Sequence, residues 1–127
     1  MPCRYYIKFE FISNYYKGIE PTDEAHLFKY KDIGLDNIEI YNEGNINIVS
    51  NKRLFNYKII SYREFHNKKN KIILNGAQND DNNCLFYIFD EPIGISYIKF
   101  NPLTNNIKPK LNSVKEIKIF CENINNF

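Results

Sequence analysis

Histidine, cysteine and recognisable catalytic motifs are scarce in this sequence, and their scarcity argues against most familiar enzyme classes. The 127-residue chain has two histidines, His26 and His66, and neither lies in a known motif. It contains no nucleophile elbow, no glycine-rich phosphate loop and no zinc-protease motif. Adjacent carboxylates such as Asp80 and Asp81 do not have the facing arrangement that a glycosidase needs. We expect no catalytic residues and no cofactor, with an enzyme of unrecognised site as the least favoured alternative.

The three cysteines, Cys3, Cys84 and Cys121, are odd in number, widely spaced and without a Cys-x-x-Cys pair. This pattern predicts neither a disulfide framework nor a zinc site, and it favours reducing surroundings. The first residues lack the basic and apolar regions of a signal peptide, and no apolar run approaches transmembrane length. The sequence therefore predicts a soluble, cytoplasmic protein with no metal and no membrane contact.

The chain also lacks a predominance of charge of one sign, because it has 17 basic and 15 acidic residues and a net charge of +2. Such a balance does not create the broad positive field that neutralises many phosphates, so we expect no nucleic-acid partner. The local cluster Lys68, Lys69 and Lys71, with His66 just before it, is typical of a solvated hairpin tip. A phosphate contact there is the weaker alternative.

Aromatic and β-branched residues are abundant, and their alternation with polar residues predicts strands. Hydrophobic residues make up 43% of the chain and aromatic residues 16%, enough to fold. We predict a single all-β domain over residues 1–127, a β-sandwich or jelly roll of about eight or nine short antiparallel strands with at most one short helix. A barrel is the alternative. The predicted strands span residues 5–12, 28–33, 37–41, 45–49, 54–62, 71–74, 84–89, 94–100 and 114–120.

Local signals refine this pattern. Gly34 is predicted to end the segment 28–33, and a helical turn is predicted over 21–27. The segments 37–41 and 45–49 should pair as a hairpin across Gly44. The apolar run 84–89 is typical of a strand covered on both faces, while residues 76–83 form a loop too polar to be buried.

Tyrosines in predicted loops that also hold amide and carboxylate side chains suggest a sugar-binding site. Aromatic faces stack on the apolar side of a pyranose, while Asn, Asp, Gln or Lys hold its hydroxyls. The predicted ligand-binding residues occupy two loops: Tyr15, Tyr16, Asn79, Asp80, Asp81 and Asn82. The competing interpretation is that these tyrosines are core or sheet-surface aromatics. Calcium is a further alternative for the second loop, although that loop lacks the spacing of an EF-hand.

The segment Ile98-Lys99-Phe100-Asn101-Pro102-Leu103, followed by Val114-Lys115-Glu116-Ile117-Lys118-Ile119, resembles the end of small β-sandwich modules attached to bacterial glycosyltransferases. Lys99 stands where those modules usually have Arg, and Asn101 where they usually have Asp. From the residues themselves, Asn101 is expected to bond the following backbone and Pro102 to stop the strand. The resemblance implies a module that accompanies glycan-processing machinery.

We therefore expect a non-catalytic β-sandwich that binds a glycan, or accompanies a glycan-modifying enzyme, through loops at one end. The alternative is a protein-interaction or structural subunit that recognises a partner, or a second copy of itself, by an exposed sheet face or edge strand.

Overall fold

Two antiparallel sheets form the fold. The computed structural model describes residues 2–3, 6–16, 30–68, 71–103 and 111–122. These residues include one short α-helix, α1 (Lys52–Phe55), preceded by a 3-10 turn (Val49–Asn51), and nine strands. The strands are β1 (Pro2–Cys3), β2 (Tyr6–Ser13), β3 (Ile33–Asn42), β4 (Tyr57–Ser61), β5 (Phe65–Lys68), β6 (Lys71–Leu74), β7 (Cys84–Phe89), β8 (Ile93–Pro102) and β9 (Glu116–Glu122). The predicted all-β, sandwich-like class is confirmed.

The two sheets take their strands from distant parts of the chain. One sheet has the order β1-β8-β3-β6-β5, and the other has the order β4-β7-β2-β9. The strand pairs are antiparallel throughout. The basic cluster lies at a hairpin, as predicted, with Lys68 opposite Lys71, but the strand that pairs with β6 is the unpredicted β5 and not the segment 54–62, whose strand β4 belongs to the other sheet. Strand β9, which carries Glu116 and Lys118, lies at an edge of its sheet.

Alternating apolar residues from both sheets form one core. In β2, Ile7, Phe9 and Phe11 are fully buried, as the two-residue period predicted. Burial of each such side chain contributes about 1.5–3 kcal/mol to folding. The ring of Phe9 meets that of Phe100 edge-to-face with centroids 5.7 Å apart, which joins the two sheets through the core.

The predicted hairpin between 37–41 and 45–49 is wrong in its second half. Residues 45–49 make only an isolated bridge between Tyr41 and Asn47 before the chain turns into the 3-10 turn and α1. Backbone hydrogen bonds from the Asn42 amide to the Ile46 carbonyl at 3.1 Å and from the Ile48 amide to the Ile40 carbonyl at 2.7 Å begin the ladder, and the Asn47 side chain accepts the Ile40 amide at 3.2 Å. Strand β3 pairs instead with β8. Residues 54–55, which were predicted to begin a strand over 54–62, belong to helix α1.

Three further predictions need correction. Gly34 does not end a strand but lies inside β3, where an added Cβ would come 2.9 Å from Cδ2 of Leu103. The loop 76–83 is not wholly solvated, because its residues Ala77, Gln78 and Asn83 are buried. In strand β7 every second residue, starting with Leu85, is buried, so only one face of the strand is buried. The helical turn predicted over 21–27 lies outside the described residues.

The cysteine prediction also fails, since Cys121 is disulfide-bonded while Cys84 keeps a free thiol. The wide spacing of cysteines along the sequence was uninformative because antiparallel pairing joins residues that are remote in the chain. No helix in the described part of the chain has the length and apolar character needed to cross a membrane.

Candidate functional site

The structure brings the predicted ligand-binding residues to one end of the sandwich. The amide of Asn79 donates to the carbonyl of Ile12, near the end of β2, at 2.8 Å, which places the 79–82 loop beside the segment that carries Tyr15 and Tyr16. Tyr15 is 50% exposed, and Asn79, Asp80, Asp81 and Asn82 are exposed as well. We call this region the loop end.

The side chain of Arg63, which follows β4, holds the loop end in place. Its guanidinium donates to the carbonyls of Asn75 at 3.2 Å and Asn82 at 3.3 Å, and also to that of Asp81. The same group lies 3.7 Å from the Asp80 carboxylate, and Lys31 approaches that carboxylate at 4.0 Å. The Asp80 charge is therefore already compensated within the protein, which lowers its value as a ligand group.

Asn14 fixes the position of the tyrosine pair. This buried side chain donates to the carbonyls of Tyr30 at 2.6 Å and Asp32 at 2.9 Å, and it accepts from the Tyr16 amide at 2.8 Å. Such an arrangement satisfies the buried amide of Asn14 and holds the start of the segment. The loop end is thus held by hydrogen bonds and carries exposed polar side chains at its tip.

A cavity of about 550 Å³ lies at the opposite end, between the 42–44 turn, the end of α1 and the β7–β8 turn. Its lining combines carboxylates from Glu43, Asp90 and Glu91 with apolar groups from Leu54 and Phe55. None of the lysines or arginines in the described part of the chain is among its lining residues.

A third candidate is a band of polar and aromatic side chains on the outer face of β3 and β8. The rings of Tyr41 and Tyr97 stack with centroids 4.4 Å apart and an angle of 16° between their planes. Tyr97 is 47% exposed. The next pairs along the strands are Glu39 opposite Lys99 and Asn37 opposite Asn101. We call these six residues the polar strip.

Glu39 is the centre of the polar strip. Its Oε1 accepts the Tyr41 hydroxyl at 2.6 Å, and its Oε2 accepts Nδ2 of Asn101 at 2.8 Å and lies 4.0 Å from the Lys99 ammonium. Asn101 also donates to the side chain of Asn37. These bonds give Nδ2 of Asn101 partners across the sheet, and the expected bond to the following backbone, which is described only as far as Leu103, stays a prediction. Strand β8 does end at Pro102, as predicted.

These contacts shift the acidity of both partners. The hydrogen bonds from Tyr41 and then Asn101 hold the pKa of Glu39 below its usual value. The same bond to Glu39, with burial and nearby charge in support, raises the pKa of Tyr41 to about 12. The strip therefore presents an ionised carboxylate and a neutral phenol across the physiological pH range.

The polar strip leads toward the cavity. The Tyr97 hydroxyl donates to Oδ1 of Asn45 at 3.4 Å, in the turn that begins with the cavity residues Asn42 and Glu43. An added Cβ on Gly94 would lie 2.8 Å from Cδ of Glu43, so the Glu43 carboxylate rests on the glycine. The strip and the cavity thus adjoin at one edge of the sandwich.

Sequence reasoning missed the polar strip. The available signal was the spacing of Glu39 and Tyr41, and of Tyr97, Lys99 and Asn101, at two-residue intervals that place each set on one strand face. What joins the two sets is the pairing of β3 with β8, which local patterns do not reveal.

Among the described residues, no group of three or more His, Cys, Asp or Glu side chains is placed to hold a metal ion. Comparison with family models, with curated proteins and with solved structures found no match to this chain.

Proposed function

We propose that the protein is a non-catalytic glycan-binding module and that the polar strip is its binding surface. The observation that carries this proposal is the stacked Tyr41–Tyr97 pair, held beside an ionised Glu39. A partly exposed aromatic platform contacts the apolar face of a pyranose ring. Carboxylate and amide groups next to it accept and donate hydrogen bonds to hydroxyls. Both kinds of group converge on one side of one sheet.

Preorganisation supports the strip over the loop end. Glu39 is oriented by Tyr41, Asn101 and Lys99 before any ligand arrives, so binding orders fewer side chains. At the loop end, by contrast, Asp80 is engaged by Arg63 and Lys31. The predicted site at Tyr15, Tyr16 and 79–82 stays a prediction, and it is the second location to be tested.

The resemblance to glycosyltransferase-attached modules supports the same surface. Its two polar positions, Lys99 and Asn101, both contact Glu39 in the polar strip. We infer that the module accompanies a glycan-modifying enzyme and holds that enzyme near its polymer.

The disulfide at Cys121 bears on location. Structural disulfides persist in oxidising compartments and are rare in reducing ones. We therefore propose that the protein works in an oxidising compartment, in place of the cytoplasm that the cysteine spacing predicted.

The test is a glycan-array screen followed by calorimetric titration of each hit with three variants. Tyr97→Ala removes the exposed half of the aromatic platform. Tyr62→Ala removes an equally large, 76% exposed tyrosine, which directly follows β4 of the other sheet, and is the matched control for the neutral glycans. A combined Tyr15→Ala, Tyr16→Ala and Asp80→Ala variant tests the loop end.

We expect Tyr97→Ala to weaken binding by roughly tenfold or more, since a central aromatic carries a large share of the contact energy. Tyr62→Ala and the loop-end variant should bind as the wild type does. Loss of binding only in the loop-end variant would transfer the site to the originally predicted loops. If the folded protein binds no glycan on the array, that result would contradict glycan binding and favour a protein partner.

A further inference from the structure

The outer face of the β4-β7-β2-β9 sheet carries a patch of large apolar side chains. Six of them share this face by strand alternation, register and ring contact: Tyr6, Ile60, Tyr62, Phe86, Ile88 and Phe120. The ring of Phe86 lies 5.7 Å from that of Tyr6 and 5.9 Å from that of Tyr62, measured between centroids. Tyr62 is 76% exposed and Phe120 is 44% exposed. A partly exposed apolar patch of this kind marks a contact surface, and we call it the aromatic face.

Charges of both signs lie among these rings. Five charged residues with described side chains share the face: Lys8, Glu10, Lys58, Glu116 and Lys118. Glu10 is in register with Lys118, and the Lys8 ammonium lies 5.1 Å from the centroid of the Phe120 ring. None of the ion pairs between described side chains includes Lys8 or Glu10. The face therefore presents an ammonium and a carboxylate, two residues apart on β2, that can each take a partner of opposite charge.

We propose that a second copy of the chain packs on the aromatic face, which gives a symmetric dimer with the two faces against each other. The two-fold axis lies between the copies, crosses the strands near a right angle and passes over Phe9. Lys8 and Glu10 are each one residue from Phe9 along β2, so Lys8 of each copy lies opposite Glu10 of the other. Packed sheets are about 10 Å apart, a distance that two long side chains span.

The charges on β2 select this position of the axis. An axis over Lys8 would bring two ammonium groups together, and an axis over Glu10 would bring two carboxylates together. Like charges that meet across an interface oppose association. An axis over Phe9 pairs opposite charges twice, and this self-complementarity is what favours a second copy over a different partner.

Strand β7 fits the same axis. Leu85 is in register with Phe9, so the axis passes over Leu85 as well. Phe86 and Cys84, one residue to either side of Leu85, then meet in opposite copies. A large ring lies against a small side chain at both places, which avoids the overpacking that two opposed rings would cause.

Strand β9 also fits this axis. Ile119 is in register with Phe9, so Phe120 of one copy lies opposite Lys118 of the other. An ammonium beside an aromatic ring is a favourable contact. Lys8 already makes the same kind of contact with Phe120 within one chain.

The size of the face fits a weak dimer. Four strands about 4.8 Å apart, with about seven residues of 3.4 Å along each, give a flat area of about 450 Å² on each copy. The two copies together bury about 900 Å², which is less than the roughly 1,200–2,000 Å² of stable specific interfaces. We therefore expect a dissociation constant in the micromolar range.

The dimer leaves the polar strip uncovered, because that strip lies on the outer face of the other sheet. The two strips then face in opposite directions, so one dimer carries two copies of the proposed glycan surface. Dimerisation itself does not depend on glycan binding, and its test contains no glycan.

The first experiment is sedimentation equilibrium of the full chain over a wide range of concentrations. Lys8→Glu and Glu10→Lys each place like charges opposite one another in a dimer of that variant. When the two variants are mixed in equal amounts, the heterodimer pairs opposite charges again. The matched controls are Arg53→Glu and Glu91→Lys, which reverse exposed charges on α1 and in the β7–β8 turn and change the net charge equally.

We expect the wild type to dimerise as its concentration rises. Each reversal on β2 should weaken dimerisation by roughly tenfold or more when the variant is alone, and the equal mixture should regain the wild-type dissociation constant. The two controls should dimerise as the wild type does, whether alone or mixed.

The second experiment uses unmodified protein, so it decides the question even where a reversal variant fails to fold. A carbodiimide condenses an ammonium with a carboxylate that it contacts, and an amide forms with loss of water. In an equal mixture of isotopically labelled and unlabelled wild type, we expect an amide that joins Lys8 of one copy to Glu10 of the other. Mass spectrometry of the peptides identifies it by its mixed isotope content.

Four results would overturn the proposal. They are a wild type that stays monomeric at the highest concentration, a dimer that neither reversal on β2 weakens, equal losses in the β2 reversals and the controls, and mixed-isotope cross-links that join other residues and never Lys8 to Glu10. Loss of glycan binding in Tyr97→Ala would concern the polar strip and leave the dimer unaffected.

Discussion

The hydroxyl of Tyr41 donates a 2.6 Å hydrogen bond to the carboxylate of Glu39, two residues earlier on the same strand. Strand side chains alternate, so these two residues share the outer face of β3, and their functional groups meet without any turn or loop. The bond stabilises a charged carboxylate and a neutral phenol together. It lowers the pKa of Glu39 and raises the pKa of Tyr41 to about 12.

Removing the charge of Glu39 should therefore lower the pKa of Tyr41. In Glu39→Gln, we expect the pKa of Tyr41 to fall from about 12 toward its ordinary value of 10.0. Because the folded-state pKa is the higher one, this bond stabilises the native state fully below pH 10.0 and ceases to do so as the pH rises through about 12. NMR titration of ring-labelled tyrosine measures the shift. An unchanged titration in the variant would show that Glu39 is not its cause.

Gly34→Ala should destabilise the fold. The added methyl group would meet Leu103 Cδ2 at 2.9 Å and Ile73 Cγ1 at 3.3 Å, and both side chains are buried. Overpacking of this kind costs about 1–3 kcal/mol in the free energy of unfolding. Urea denaturation followed by fluorescence provides the measurement.

Gly94→Ala is the matched control for Gly34→Ala. Its methyl group meets the end of the exposed Glu43 side chain, which can move aside. We expect a smaller loss than in Gly34→Ala. Equal losses in the two variants would mean that contact with Leu103 does not account for the effect.

The sequence predicted local features correctly, but it did not predict contacts between residues that are remote in the chain. Alternation placed Ile7, Phe9 and Phe11 correctly in the core, because a two-residue period is a local property. The hairpin predicted over 37–49 extends only to a single bridge at Tyr41 and Asn47, because the chain enters the 3-10 turn at Val49. Glu39 and Asn101 are 62 residues apart, so their contact in the polar strip was equally hidden.

Buried polar groups explain another of the errors. Residues 76–83 appeared too hydrophilic to bury, yet Asn83 is buried and its Nδ2 donates to the carbonyl of Phe11 at 2.7 Å. A polar side chain is buried when a specific partner satisfies it. Composition measures polarity but not the presence of that partner.

Arg63→Lys should loosen the loop end. The planar guanidinium reaches the carbonyls of Asn75, Asp81 and Asn82 at once, whereas a lysine ammonium is a single point charge with different geometry. We expect a loss of about 1–3 kcal/mol in the free energy of unfolding and faster hydrogen exchange at residues 79–82. Arg53→Lys, on the exposed face of α1, should change neither quantity. Unaltered exchange at 79–82 would remove Arg63 as the organiser of that loop.

Reduction of the disulfide at Cys121 should destabilise the sandwich. Cys121 lies on β9, an edge strand that is hydrogen-bonded to β2 on one side only, so the covalent link restrains a strand that the sheet holds weakly. A disulfide of this kind typically contributes about 2–4 kcal/mol. Thermal melts with and without reductant measure the effect, and Cys84→Ser, which removes a thiol outside the disulfide, should keep the same dependence on reductant.

In denatured but unreduced protein, alkylation should modify Cys84 and leave Cys121 untouched. Alkylation of Cys121 before reduction would exclude the disulfide and, with it, the argument for an oxidising compartment.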